Sequence, residues 1–143
     1  MSEITDPETS GRRRRILLAD DHELLLEQVA TLLQSKFDVV GTARNGLEMV
    51  SEALRLMPDI IVADISMPGL SGIEATRELH ERGSTAKVVF LTVHPEAEFV
   101  DACVAEGASA YVAKSHIKRD LIPAVNAALA GRWFVSPDRK SVV

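Results

Sequence analysis

Ile60-Ile61-Val62-Ala63-Asp64-Ile65-Ser66-Met67-Pro68-Gly69-Leu70-Ser71-Gly72 is the stretch from which the fold of this 143-residue chain is read. Four apolar residues run without a polar break and stop at an aspartate. A strand with one wet face alternates apolar and polar residues. An unbroken run of this length instead suits a strand buried on both faces of a parallel sheet. A loop follows, and then a weakly patterned helix predicted from Gly72 to Glu81.

Working outward, the same kind of run recurs at Ile16-Leu17-Leu18-Ala19, Val39-Val40-Gly41-Thr42-Ala43, Val88-Val89-Phe90-Leu91 and Tyr111-Val112-Ala113. Between the runs lie amphipathic segments. Apolar residues fall at helical spacing at Leu24, Leu25, Val29, Leu32 and Leu33, and again at Leu47, Val50, Leu54 and Met57. Phe99, Val100, Cys103 and Val104 make a further stripe, and Leu121, Ile122, Val125 and Leu129 the last. Gly83 and Gly107 stand where helices should stop, and Pro95 where one should start. Pro123 belongs near the start of the last helix, which predicts a late beginning around Lys118–Asp120 or a kink. Five strands alternating with five helices imply right-handed crossovers and a doubly wound α/β sheet. Rossmann and flavodoxin-like orders are both compatible with this pattern. Five strands in one small domain favour the flavodoxin-like order 2-1-3-4-5.

Composition agrees with one compact domain: 46% apolar and 26% charged residues, net charge −5. The acidic balance argues against a chain-wide affinity for nucleic acid or anionic membrane. Residues 1–13 read as a disordered polar tail, and Arg12–Arg15 as its solvated end opening a strand. There is no apolar signal region and no run long enough to span a bilayer. The single cysteine, Cys103, excludes an intrachain disulfide, fits a reducing cytoplasm and sits on an apolar stripe. Residues 135–143 read as a short tail or the start of a linker, with Trp133-Phe134 packing that end against the body or offering a dimer or partner contact.

In doubly wound sheets the site lies at the carboxyl ends of the strands. The residues that follow the runs are Asp20 and Asp21, Asp64, Thr92 and Lys114. In the order 2-1-3-4-5 these five side chains converge. Three neighbouring carboxylates repel one another unless cations join them. Lys114 offsets one charge. Oxygen donors without clustered His or Cys favour Mg²⁺ over Zn²⁺. A hard cation beside a free carboxylate suits phosphoryl transfer to that carboxylate.

Those residues resemble the receiver domains of bacterial two-component response regulators over roughly residues 14–134. Asp20-Asp21-His22 is similar to the acidic pair after the first strand, and Asp64–Gly72 to the phosphoacceptor loop. Thr92 stands at the hydroxyl position. Gly107–Lys114 is similar to the last strand with its aromatic switch and lysine. The resemblance implies that Asp64 is the phosphoacceptor. It implies that Mg²⁺ is held by Asp21, Asp64 and the Ser66 carbonyl, with Asp20 acting through water. Lys114 and Thr92 would contact phosphoryl oxygens, and Thr92 moving inward would let Tyr111 turn inward. Ser115 stands where many receivers have proline. With Asp-Asp-His and Ala130-Gly131-Arg132-Trp133, it resembles the branch preceding LuxR-type helix-turn-helix output domains. The implied partners are a sensor histidine kinase or phosphotransfer protein, with a homodimer on phosphorylation left open. The implied output is transcription through an output domain if the native protein is longer, with no DNA or membrane contact by this chain.

The residues also bear other readings. His22, His80, His94 and His116 lack metal-ligand spacing; His22 starts a helix, and His94 flanks the phosphoryl pocket or is a plain loop residue. Val93 is larger than the residue many receivers carry after the threonine, so it should shield Asp64 from water. An aspartate-nucleophile phosphatase is disfavoured because Ser66 replaces the acid expected two residues after the nucleophile. A receiver-like interaction module that is never phosphorylated is disfavoured by the intact acidic pair, Thr92 and Lys114.

Overall fold

The computed structural model describes residues 13–93 and 108–136. In chain order they form β1 (Arg15–Ala19), α1 (Glu23–Gln34), β2 (Asp38–Ala43), α2 (Gly46–Leu56), β3 (Ile60–Asp64) and α3 (Gly72–Glu81). β4 (Lys87–Thr92), β5 (Ala110–Ala113), α4 (Ile117–Leu129) and β6 (Phe134–Val135) complete them. A short 3₁₀ turn, Lys114–His116, leads from β5 into α4. The stripe at Phe99–Val104, with its flanking Pro95 and Gly107, lies outside the described residues, as do His94 and the tail residues 1–12.

The sheet order is β2-β1-β3-β4-β5-β6 with every pairing parallel. The expected order 2-1-3-4-5 holds, and the sheet gains a sixth strand beyond the five expected. β6 pairs with β5 through Ala110↔Phe134 and Tyr111↔Val135.

The strands read as unbroken apolar runs because both faces are covered. Leu17, Ala19, Ile61, Ala63, Val88, Phe90 and Tyr111 face α2 and α3, packing on Met49, Val50, Ala53, Ala75 and Leu79. Their neighbours Ile16, Leu18, Ile60, Val62, Val89, Leu91 and Val112 face α1 and α4, packing on Leu26, Val29, Leu33, Leu121, Ala124 and Val125. The helix stripes need correction in detail. Leu24, Leu47 and Met57 are two-thirds or more exposed. Leu26 and Met49 are buried in their place, because the face toward the sheet begins two residues later in each helix. Pro123 also differs from expectation. α4 begins at Ile117, so the proline falls in its second turn and forgoes the hydrogen bond its N–H would give the Arg119 carbonyl. Phe134 packs on the α1/α4 face as expected, while Trp133 remains 45% exposed.

The loop after β3 is held on both sides. Ile65 and Met67 are buried in the α2/α3 face, and Ser66 between them is exposed. Gly72 N–H donates to the Ile65 carbonyl at 2.9 Å. Ser71 caps α3 in a reciprocal box with Glu74. A Cβ on Gly72 would stand 2.2 Å from the Asp64 carbonyl oxygen, and one on Gly46 would stand 2.0 Å from that of Leu70. The helix starts therefore approach this loop at distances that only glycine allows. Gly72→Ala is expected to lose about 1–3 kcal/mol of stability through backbone overpacking, measured by urea unfolding.

Candidate functional site

The sheet brings the predicted side chains to one edge. Asp20 follows β1, Asp64 ends β3, Thr92 ends β4 and Lys114 follows β5. β1, β3, β4 and β5 are successive neighbours. Asp20, Asp64 and Thr92 are 2%, 5% and 3% exposed. Lys114 Nζ lies 3.1 Å from Asp20 Oδ2 and 3.2 Å from Asp64 Oδ2. Asp64 Oδ1 accepts a hydrogen bond from the Ser66 N–H at 3.2 Å. Asp20 Oδ1 accepts one from the His22 N–H at 2.8 Å, and His22 precedes the first turn of α1 without a side-chain capping bond. Asp20 Oδ2 is buried and meets Lys114 as an ion pair, without a hydrogen-bond partner.

Burial pushes the Asp64 carboxyl above its ordinary range; Lys114 pulls it back, Asp20 pushes it up, and the hydrogen bonds from Lys114 and Ser66 lower it. One ammonium therefore shares itself between two desolvated carboxylates. Asp21 lies at the rim with its side chain 38% exposed, 3.6 Å from His22 Nδ1. Donor atoms of Asp20, Asp21 and His22 lie within 4.8 Å of one another. Asp64 is tied to that trio by Lys114, and Ser66 follows it at the loop surface. Tyr111 is 1% exposed in the α2/α3 face of the core. It pairs in register with Phe90.

Three buried polar residues escaped the sequence reading: Thr76, whose hydroxyl donates to the Gly72 carbonyl within α3, Asp120 and Ser136. They are 0%, 4% and 5% exposed. Asp120 was detectable as a charge beside Leu121 in an apolar stripe. Ser136 carries no such signal. Arg119 holds the Asp120 carboxyl below its ordinary range, burial opposes it, and the Ser136 hydroxyl assists.

Residues 16–126 match the response regulator receiver domain. The chain belongs to that family. It is 34% identical over 125 residues to the response regulator GacA of Pseudomonas viridiflava, covering 86% of this chain and 58% of that protein. It is likewise 34% identical to the transcriptional regulatory protein DegU of Brevibacillus brevis, covering 86% of this chain and 53% of that one. This receiver thus spans little more than half the length of the curated relatives it matches. A LuxR-family two-component response regulator from Aurantimonas sp. SI85-9A1 superimposes with a TM-score of 0.85 at 35% identity, covering 90% of this chain and 94% of that one. The receiver is therefore a signalling domain of two-component systems, similar to transcriptional regulators. Among its described residues no helix is long and apolar enough to cross a membrane.

Lys114→Met leaves two carboxylates without their shared cation. Asp64, freed of the charge that lowers it, shifts further upward. A carboxyl whose folded-state value exceeds its unfolded one costs nothing below the unfolded pKa. Its cost grows as pH rises toward the folded value and is complete above it. The variant is expected to be near wild type in stability under acid and about 2 kcal/mol weaker at neutral pH, below the ~3–5 kcal/mol of a fully buried pair. Urea unfolding across pH checks this.

Proposed function

We propose that this receiver is a phosphorylation switch in which Asp64 takes a phosphoryl group from a sensor histidine kinase or phosphotransfer protein. The observation that carries the reading is the pair of contacts from Lys114 to Asp20 and Asp64. It puts a buried carboxylate beside a cation able to transfer its contact to a phosphoryl oxygen.

The donor set fits a hard divalent ion. Its deep donors are carboxylate oxygens, and Asp20 Oδ2 is buried without a hydrogen-bond partner. Asp21, Asp64 and the Ser66 carbonyl would hold Mg²⁺, with Asp20 acting through water. When bound, Mg²⁺ offsets the carboxylate charge and that of the phosphoryl oxygens.

An Asp64 oxygen attacks phosphorus, the donor's P–N bond breaks with its electron pair returning to the imidazole, and an acyl phosphate forms. Burial keeps water scarce and makes the carboxylate a stronger nucleophile. Lys114 passes from Asp64 Oδ2 to a phosphoryl oxygen as a point charge. The Thr92 hydroxyl donates to another. In this reading Thr92 moving toward the phosphoryl group makes room for Tyr111 on the adjacent strand. A groove of about 930 Å³ between α1 and the start of α4, lined by Leu25, Gln28, Leu32, Lys114 and Ile117, opens beside the site and supports docking of the donor. In this reading the receiver unit runs from residue 14 through β6 and Ser136, past the boundary at 134 expected from sequence, the connection to an output domain follows it, and the protein works in the cytoplasm. Transcriptional output fits the longer relatives, with DNA reached through that domain. A homodimer on phosphorylation fits the same output.

Intact mass after incubation with acetyl phosphate and Mg²⁺ is expected to rise by about 80 Da for wild type and not for Asp64→Asn. No gain in either protein would favour an interaction module that is never phosphorylated. Steady phosphate release without an adduct would favour a phosphatase. Free Mg²⁺ is expected to raise the melting temperature in proportion to the logarithm of its concentration, and Asp21→Asn to blunt the rise. Val93 adjoins Thr92 and is 65% exposed; Val93→Ala is expected to lose its phosphoryl group faster, followed as the decay of the adduct mass.

A further inference from the structure

The end of the described chain returns to the residue next to Lys114. Beyond β6, the Ser136 N–H donates to the Tyr111 carbonyl at 2.9 Å. The Ser136 hydroxyl accepts from the Ala113 N–H at 3.0 Å and donates to Asp120 Oδ2 at 2.7 Å. Asp120, in the first turn of α4, is clasped by Arg119 through two nitrogens at 2.8 and 2.9 Å. Ser136 and Asp120 are both more than nine-tenths buried.

The hydroxyl has one proton and spends it on Asp120, so its orientation toward Ala113 is determined rather than free. The bond to Asp120 is charge-assisted. The backbone bond to Tyr111 continues the pairing of β6 with β5. The side-chain bonds do something different. They grip the residue immediately before Lys114 and the first turn of the helix that follows it. Lys114 begins the short 3₁₀ turn between those two points. Its ammonium must lie within reach of two carboxylates on β1 and β3 at once.

We propose that Ser136 and Asp120 are positioning residues for Lys114, and that through them the segment leaving β6 is coupled to phosphoryl transfer at Asp64. The inference rests on Asp64 being the phosphoacceptor. A shift of β5's end by a fraction of an ångström displaces the ammonium from both carboxylates, and reactions that depend on placement lose rate steeply with such shifts. Coupling of this kind is reciprocal. If the closed Ser136 latch favours the arrangement that carries the phosphoryl group, then phosphorylation favours the closed latch by the same factor. A force or contact acting on the chain beyond Ser136 would then tune the site without touching it.

The test compares phosphoryl uptake from acetyl phosphate and Mg²⁺ in wild type, Ser136→Ala and Ser136→Thr, each first matched for folding by circular dichroism. Ser136→Ala is expected to slow uptake about 10- to 100-fold, the scale on which supporting hydrogen bonds act, while Ser136→Thr, which keeps the hydroxyl, restores much of the rate. Hydrogen exchange of wild type adds a readout that needs no variant: the Ala113 and Ser136 amides are expected to exchange more slowly in the phosphorylated protein. Uptake by Ser136→Ala within about twofold of wild type, inside the scatter of such comparisons, would overturn the proposal. So would Ala113 and Ser136 amides unmoved by phosphorylation. In both cases wild type still gains phosphate and Asp64→Asn does not, which leaves the phosphoacceptor reading standing. Wild type failing to gain phosphate would instead overturn that reading, and this one with it.

Discussion

One ammonium between two buried carboxylates is the interaction on which the rest of this receiver depends. Asp20 and Asp64 close neighbouring strands and are nearly inaccessible to water. Lys114 is the cation both contact, and its charge draws the Asp64 carboxyl back down against burial. The lysine arrives from β5, two strands away from β3 across β4. The carboxylates therefore meet this cation only where the sheet is complete through β5. The same arrangement is chemically unfinished. Carboxylate charge exceeds what one lysine balances, and one buried Asp20 oxygen has no hydrogen bond. A site left in that condition favours ligands that bring positive charge, or that draw the lysine elsewhere.

Around that corner the backbone leaves little slack. Ile65 and Met67 anchor the loop in the core. The α3 start presses on the Asp64 carbonyl at a distance only a glycine permits, and the α2 start presses on Leu70 in the same way. Asp64 is thus presented by a rigid scaffold. Thr92 and Tyr111 sit on the adjacent strands β4 and β5, and both are buried.

The two-residue strand β6 alters the picture of where the receiver ends. It extends the sheet past β5. Ser136 then joins β5 and α4 in a single hydrogen-bonded group. The exit of the chain is consequently wired to the element that carries Lys114, on the far side of the sheet from α2 and β2.

Sequence alone pointed to the doubly wound sheet, favoured its order through β5 and singled out Asp20, Asp21, Asp64, Thr92 and Lys114 as the residues ending its apolar runs. The reason is local: runs buried on both faces are written as unbroken apolar residues, and the polar residue ending each run must lie at the carboxyl edge. Tertiary structure decided what no periodicity encodes. Phe134-Val135 is too short to carry a strand signal and is a strand only because β5 offers it a partner. Leu24 and Leu47 match a helical stripe yet face outward, because the sheet selects which face of each helix is covered. Pro123 is accommodated within α4, where packing on the sheet outweighs one forgone hydrogen bond. Asp120 and Ser136 acquire meaning only as a pair. They stand sixteen residues apart, and only the folded sheet brings the Ser136 hydroxyl to a carboxylate that Arg119 already holds.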